Sequence, residues 1–153
     1  MSWKPGQHLF PRFQGIALLD NHLFTIASAC DETYVTAKDG TTTRRPIVFF
    51  IKPKDGITKN LMRLVEQEAL KTVKVNVEGP YGGHDRQMEL PYQHIILLAG
   101  GSGITSVLPL LTDLARKIRR ERTALKEILL IWAVKDRHSM GWIQRLTSRS
   151  FGC

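Results

Sequence analysis

Cysteine is nearly absent from the chain. Only Cys30 and Cys153 occur in 153 residues, which excludes a disulfide framework and a cysteine-rich zinc site and makes a reducing compartment the simpler setting. The 5 histidines are scattered without ligand spacing. His8, His84, His94 and His138 therefore read as packed or surface imidazoles, and no metal site is expected. Acid is the scarcer charge, 14 Asp and Glu against 22 Lys and Arg, leaving a net charge of +8. That favours an anionic partner; a nucleotide phosphate, a nucleic acid and an anionic membrane all fit. The opening residues lack the apolar core of a signal peptide. The one long uncharged stretch, Leu90 to Thr112, is broken by Gly100, Gly101, Ser102, Gly103, Thr105, Ser106 and Pro109, whereas a membrane span needs about 20 mostly apolar residues. No span is expected in this chain. An apolar share of 42% with 24% charged residues also excludes disorder, and the length suits one ordinary domain rather than two full ones.

What is present follows two grammars. Gly6 to Phe13 and His22 to Ser28 are short, partly alternating apolar runs bounded by Pro, Gly, Asp and Asn, and both predict strands. Ala29 to Arg45 is polar and predicts a loop, with a hairpin around Asp39-Gly40. Ile47 to Ile51 predicts a buried strand ended by Pro53. Thr58 to Leu70 carries Leu61, Leu64, Val65 and Ala69 at helical spacing, with Thr58 as its cap. Val73 to Val77 alternates as a half-buried strand does, and Gly79-Pro80-Tyr81-Gly82-Gly83 predicts a turn. This part reads as most of a small β-barrel with one helix.

From about residue 91 the period changes. Ile95 to Ala99 is a continuous apolar run, as in a strand buried on both faces of a parallel sheet. Gly100 to Gly103 turns the chain, a helix is predicted from Ile104 to Arg122, and Ile128 to Val134 forms a second buried strand. Another helix is expected near Ser139, carrying Trp142 and Leu146. Strand, helix and strand at this spacing make one right-handed crossover. The fold class is thus α+β in two parts, a partial β-barrel over residues 1–90 and the first β-α-β unit of an α/β nucleotide-binding domain over 91–153.

The turn Gly100-Gly101-Ser102-Gly103-Ile104-Thr105 sits between a buried strand and a helix. Glycine lets backbone N–H groups approach a pyrophosphate, and the helix start adds donors and about half a positive charge. The dinucleotide fingerprint is only partly met, because Ser106 replaces its third glycine, and such turns also use glycine for geometry alone. The second strand exits into Lys135-Asp136-Arg137. Bases at that place accommodate the 2′-phosphate of NADPH; the alternative is a solvated strand end. Thr112 to Lys126 concentrates Arg116, Lys117, Arg119, Arg120, Arg122 and Lys126. Without interleaved aromatics this run is read as the water-facing side of a helix rather than a nucleic-acid surface.

Five ordered blocks carry a resemblance: Pro5-Gly6-Gln7-His8, His22-Leu23-Phe24-Thr25-Ile26-Ala27-Ser28, Phe49-Phe50-Ile51-Lys52-Pro53-Lys54-Asp55-Gly56, Glu78-Gly79-Pro80-Tyr81-Gly82 and Leu98-Ala99-Gly100-Gly101-Ser102-Gly103-Ile104-Thr105. In that order they resemble the ferric reductase and NADPH oxidase family, most nearly its fungal ferric-chelate reductases. The resemblance implies a barrel of the ferredoxin-reductase type binding FAD, followed by an NADPH-binding region. In the family this region lies on the cytosolic face of the plasma membrane behind a haem-carrying domain, and electrons pass from NADPH to FAD and through haems to ferric or cupric chelates. A chain without that domain is expected to be soluble and cytoplasmic.

Carried over, His22 would meet the FAD phosphate or ribose, Phe24 the isoalloxazine, and Thr25 its reactive nitrogen. Ile26, Ala27 and Ser28 would complete the flavin site, with Lys52 and Thr58 as phosphate contacts. Gly79, Pro80, Tyr81 and Gly82 would lie where nicotinamide and flavin meet. Gly100, Gly101, Ser102, Gly103, Ile104 and Thr105 would hold the NADPH pyrophosphate, with Lys135 and Arg137 beyond. The hydride chemistry belongs to the cofactors, so no catalytic side chain is expected. Leu23 stands where the family has proline. The family's membrane helices, haem histidines, first barrel strands and Cys-Gly-Pro segment have no counterpart, so a fragment is expected. Reduction of oxygen in the manner of an NADPH oxidase and a non-catalytic remnant are the alternatives.

Overall fold

Alternation fixes the central strand. In Gln7–Phe13 (β1), Leu9, Pro11 and Phe13 are buried while Arg12 faces water, the period-two pattern of a sheet with one covered face. The computed structural model describes residues 1–16, 22–29, 34–36, 42–44, 46–67, 72–83, 91–120, 123–135 and 141. Along the chain, β1 is followed by β2 (Phe24–Thr25), β3 (Tyr34–Thr36), β4 (Thr42–Arg44), α1 (Gly56–Glu66), β5 (Val75–Gly82), β6 (His94–Gly100), a 3-10 turn (Gly101–Gly103), α2 (Ile104–Arg119) and β7 (Glu127–Ala133). β2, β1 and β5 form an antiparallel sheet with β1 in the middle, β3 and β4 form a hairpin, and β6 and β7 pair in parallel.

Several expectations need correction. The strand predicted over 22–28 pairs only at Phe24 and Thr25, opposite Leu9 and His8. Beyond them the Ile26 N–H donates to the Gln7 carbonyl (2.9 Å) and the Ala27 N–H to the Val48 carbonyl (2.8 Å), so the chain leaves β1 for the 46–51 segment. That segment, predicted as a buried strand, forms no ladder. It is extended and spends its side chains alternately. Ile47 and Phe49 pack towards Trp3, Leu9 and Ile26, while Val48 and Phe50 pack towards Ala27 and Leu108. Two clusters on opposite sides explain an unbroken apolar run without strand pairing.

The predicted turn at Gly79-Pro80 is instead part of β5, which continues to Gly82 and pairs Tyr81 with His8. A register shift between His8 and Phe10, a cis Gly79–Pro80 bond and positive φ at Gly79 and Gly82 accompany the passage. Proline is tolerated there because β5 is an edge of its sheet and needs no further N–H donor. β3 and β4 pair Tyr34 with Arg44 and Thr36 with Thr42, flanking the predicted Asp39-Gly40 turn, itself outside the described residues.

α1 begins at Gly56, and Asp55 rather than Thr58 occupies its cap position. The Thr58 hydroxyl accepts from the Lys54 N–H (3.1 Å) and donates to the Asp55 carbonyl (3.0 Å), tying the loop to the first turn from inside it. Ile57 and Leu61 bury against Phe13 and Phe24. Val65 is exposed and Leu64 half-buried, and Ala69 lies outside the described residues.

In the second part α2 lays Leu110 and Leu114, with Val107, Leu111 and Ile118, on Leu97, Ile95, Ile128 and Leu130. The expectation of strands buried on both faces fails: Ile96 and Leu98 are 63% and 68% exposed, and Leu129 and Ile131 each 49%. Among the described residues one helix covers one face only. The basic run behaves as solvated surface: Arg119 and Arg120 are exposed, and Lys117 pairs with Asp113 at 3.0 Å. The helix expected near Ser139, with Trp142 and Leu146, lies outside the described residues. Among those described, no helix is long and apolar enough to cross a membrane. A small cluster of Ala27 and Leu108, joined by Val48, Phe50 and Leu111, fastens the two parts together.

Candidate functional site

That cluster brings the β2 segment and the glycine turn to one cleft. The cleft measures about 330 Å³, within the range of small-molecule sites. One wall is Leu23, Phe24 and Thr25, a second is Phe50, Ile51, Lys52, Lys54 and Thr58, and the third is Ser102, Gly103, Thr105 and Ser106. Among the described residues that line it, Lys52 and Lys54 are the charged ones, so on these walls a phosphate meets two cations.

The glycine wall is held from behind. Gly101 adopts φ +50, a conformation that costs glycine little and other residues much. The Thr105 hydroxyl donates to the Ser102 carbonyl (2.8 Å), and the Trp132 indole N–H donates to the Gly101 carbonyl (2.9 Å). A Cβ at Gly100, Gly101 or Gly103 would meet nothing within 4 Å, so none of these glycines is required by packing. Open space over a backbone turn, at the start of a 16-residue helix with no acid in its first turn, suits an anion.

The opposite wall is rigid. Phe24 is 7% exposed and meets Phe13 and Phe49 edge to face, at 6.2 and 6.1 Å, so most of its ring surface is spent in the core. Behind it, Trp3 donates to the Ser28 carbonyl (2.8 Å), and the Ser28 hydroxyl accepts from the Val48 N–H (3.2 Å).

Of the predicted site residues, Phe24, Thr25, Lys52, Thr58, Ser102, Gly103 and Thr105 line the cleft. Ile26, Ala27 and Ile104 are buried beneath it. His22 is exposed, Gly100 and Gly101 form the back of the turn, and Lys135 is exposed past the end of β7. Arg137 lies outside the described residues. Gly79, Pro80, Tyr81 and Gly82 are on β5, across β1 from β2 and off the cleft walls. They still connect to it: His8 stands opposite both Thr25 and Tyr81, and directly opposed residues share a sheet face. On that face His8, Phe10 and Tyr81 are in ring contact at 5.5 to 6.2 Å. The Tyr81 hydroxyl donates to Glu78 (3.0 Å), whose other oxygen accepts from Arg12 (3.0 Å). The hydrogen bond to Glu78, and then its negative charge, raise the Tyr81 pKa above 10.0.

Sequence reasoning passed over Phe50, Ile51, Lys54, Ser106 and Trp132. Ser106 carried a signal, since the residue that spoils the glycine fingerprint puts a hydroxyl on the cleft. Lys54 also had one, two residues from Lys52 and just before a helix start. Trp132 had none, because its role depends on a contact 31 residues away.

Residues 1–85 match an FAD-binding domain family and residues 92–149 the ferric reductase NAD binding domain. The chain is 32% identical over 94% of its length to a probable cell surface ferric reductase of Aspergillus oryzae, and 25% identical over 95% to NADPH oxidase 1 of Mus musculus. It spans 19% and 23% of those two proteins. A crystal structure of a ferredoxin-NADP+ reductase mutant from Plasmodium falciparum with 2′P-AMP covers 98% of this chain and 58% of its own at 12% identity, with a TM-score of 0.51. That likeness shows the fold. With its FAD-binding and NAD-binding regions matched in order along one chain, this protein belongs to the ferric reductase and NADPH oxidase family.

Proposed function

We propose that this chain is the electron-entry part of an NADPH-dependent ferric-chelate reductase, residues 1–90 holding FAD and 91–153 holding the dinucleotide end of NADPH. The observation that carries the reading is the shared cleft: the segment around Thr25 and the turn around Gly103 face each other across one space with two lysines on its rim. FAD, when bound, supplies the chemistry of accepting a hydride and releasing electrons singly. The residues bind and orient. Lys52 and Lys54 hold phosphate oxygens, with Thr58 joining them once its hydroxyl proton turns from the Asp55 carbonyl, and the fixed edge of Phe24 limits how deeply a flat ring can enter. The Thr25 hydroxyl bonds the ring edge, and His22, Ile26, Ala27 and Ser28 shape the strand around it. The row Thr25, His8, Tyr81 gives a ring a continuous surface towards Gly79–Gly82, where nicotinamide would meet it. Gly100 to Thr105 take the pyrophosphate, and Lys135 and Arg137 the 2′-phosphate.

In the complete protein the electrons would pass through haems of a membrane domain to ferric or cupric chelates, with this part on the cytosolic face of the plasma membrane. Reduction of oxygen is the second reading, because the chain is also similar to an NADPH oxidase over 95% of its length.

Titration of FAD against the purified chain, followed by flavin fluorescence, tests the proposal. We expect weak but saturable quenching and little reduction of ferricyanide, with the double variant Lys52→Ala/Lys54→Ala weakening FAD about tenfold, the scale of charge-assisted phosphate contacts. Absence of saturable quenching in the unmodified chain would mark it as a remnant without cofactor.

A further inference from the structure

Trp132 lies on β7 opposite Ala99 of β6, outside the cleft lining, yet it reaches the glycine turn. Its indole N–H donates to the Gly101 carbonyl at 2.9 Å. The Gly101–Ser102 peptide bond is trans, since Gly79–Pro80 is the cis bond among the described residues. In a planar trans peptide the carbonyl and the following N–H point in opposite directions. A carbonyl held towards β7 therefore fixes the Ser102 N–H on the far side of the turn, and Ser102 borders the cleft.

The sequence gives such a hold something to do. Gly100-Gly101-Ser102-Gly103 contains three glycines, each able to take either sign of φ, and their absent side chains provide no contact to stop the peptide plane from rotating. A rotated plane would turn the Gly101 carbonyl, rather than an N–H, away from β7. An anion would then meet a partial negative charge. The neighbouring carbonyl, of Ser102, is held separately by the Thr105 hydroxyl and the Ile104 N–H, so Trp132 is the side chain that adds to the 3-10 turn in holding the Gly101 plane.

We propose that Trp132 is a positioning residue for the dinucleotide grip: its indole N–H fixes the Gly101–Ser102 peptide plane so that the Ser102 N–H is presented to the pyrophosphate. The proposal rests on the reading of this turn as the pyrophosphate site. Trp132 also links the turn to the strand end that leads to Lys135, so the pyrophosphate and ribose ends of the site share one support.

The experiment compares the 153-residue chain with Trp132→Phe, which keeps an aromatic ring and removes the donor. Two probes are titrated by calorimetry: NADP+, which contains a pyrophosphate, and adenosine 2′-phosphate, which does not. Trp132→Phe is expected to weaken NADP+ about fivefold, the scale of one hydrogen bond, and to leave adenosine 2′-phosphate unchanged within about twofold. Equal weakening of both probes with a lowered melting temperature would reduce Trp132 to a structural residue and overturn the proposal, as would unchanged affinity for both. If the unmodified chain binds neither probe while still binding FAD, the pyrophosphate reading itself fails and the proposal falls with it.

A second measurement does not depend on the variant folding. In amide and indole correlation spectra of the unmodified chain, NADP+ is expected to shift the Ser102 amide and the Trp132 indole N–H together, with adenosine 2′-phosphate moving neither. Movement of Ser102 without Trp132 would break the link.

Discussion

Each part of the molecule uses a tryptophan from outside its motif to hold a motif carbonyl. Trp3 donates to Ser28 behind the β2 segment, and Trp132 donates to Gly101 behind the glycine turn, at 2.8 and 2.9 Å. The hydrogen bonds match; the surroundings do not. Trp3 is 6% exposed and packs with Leu9 and Ile26, whereas Trp132 is half-buried at the end of a two-stranded sheet whose other face is open. The same chemistry therefore serves different ends. In the first part the indole is a core side chain that also fixes a carbonyl, and in the second it fixes a carbonyl with little core around it.

The largest expected effect lies on the Trp3 side. Trp3→Ala should lower unfolding stability by about 3–5 kcal/mol, the usual cost of emptying a buried tryptophan site, measured by urea denaturation. Trp132→Ala should cost clearly less. Comparable losses at the two positions would erase the distinction and show that Trp132, on the same face of β7 as Ile128 and Leu130, is packed as tightly as Trp3.

Much of this arrangement was legible in the chain. β1, α1 and α2 follow from apolar residues at one spacing, and β6 and β7 from short continuous apolar runs. The glycine turn was legible from its place between strand and helix. The errors share one physical origin, long-range packing that local pattern does not record. Ile47 to Phe50 look like a ladder strand because every side chain is apolar, but alternate side chains serve two clusters on opposite sides. Ile96 and Leu98 look doubly buried because their composition is that of an inner strand, while the described residues cover only the face of Leu97. At the site, residues belonging to a motif were found and their supports were not, since Trp3 and Trp132 act on carbonyls 25 and 31 residues away.

Glycine gives a second comparison of the two parts, with a smaller effect. At Gly79 φ is +115, and an added Cβ would stand 3.0 Å from Leu9 Cδ2 and 3.2 Å from the His8 carbonyl. Gly79→Ala should therefore cost about 1–3 kcal/mol through strain and crowding. Gly103 has φ −58 and ψ −18 with nothing within 4 Å of the added atom, so Gly103→Ala should change stability by no more than about 0.5 kcal/mol. It should nevertheless weaken NADP+, because the new methyl stands on the cleft wall. Denaturation and calorimetry on both variants check the crossing of the two effects: one glycine is kept for the fold, the other for the ligand. A destabilised Gly103→Ala with unchanged NADP+ affinity would reverse that assignment.

The smallest effect concerns Tyr81, whose titration can show whether β5 belongs with the cleft. Its hydroxyl donates to the Glu78 carboxylate, which raises the folded-state pKa above the ordinary 10.0. For a group with a raised folded pKa, the linked stability is fully present below the unfolded value and is lost as pH rises through the folded one. The affected window is thus alkaline, and neutral pH is untouched. The residue is exposed, so solvent keeps the energy small and the titration itself is the better readout. Tyrosinate absorbance should show a late phase belonging to Tyr81. Tyr81→Phe should remove that phase, and Glu78→Gln should return it to the ordinary range. Because His8 joins Thr25 to Tyr81 on one sheet face, a bound FAD lying along that row should desolvate the phenol and push its ionisation later still. A Tyr81 phase indifferent to saturating FAD would confine the flavin to the Thr25 end, leaving Gly79–Gly82 outside the site.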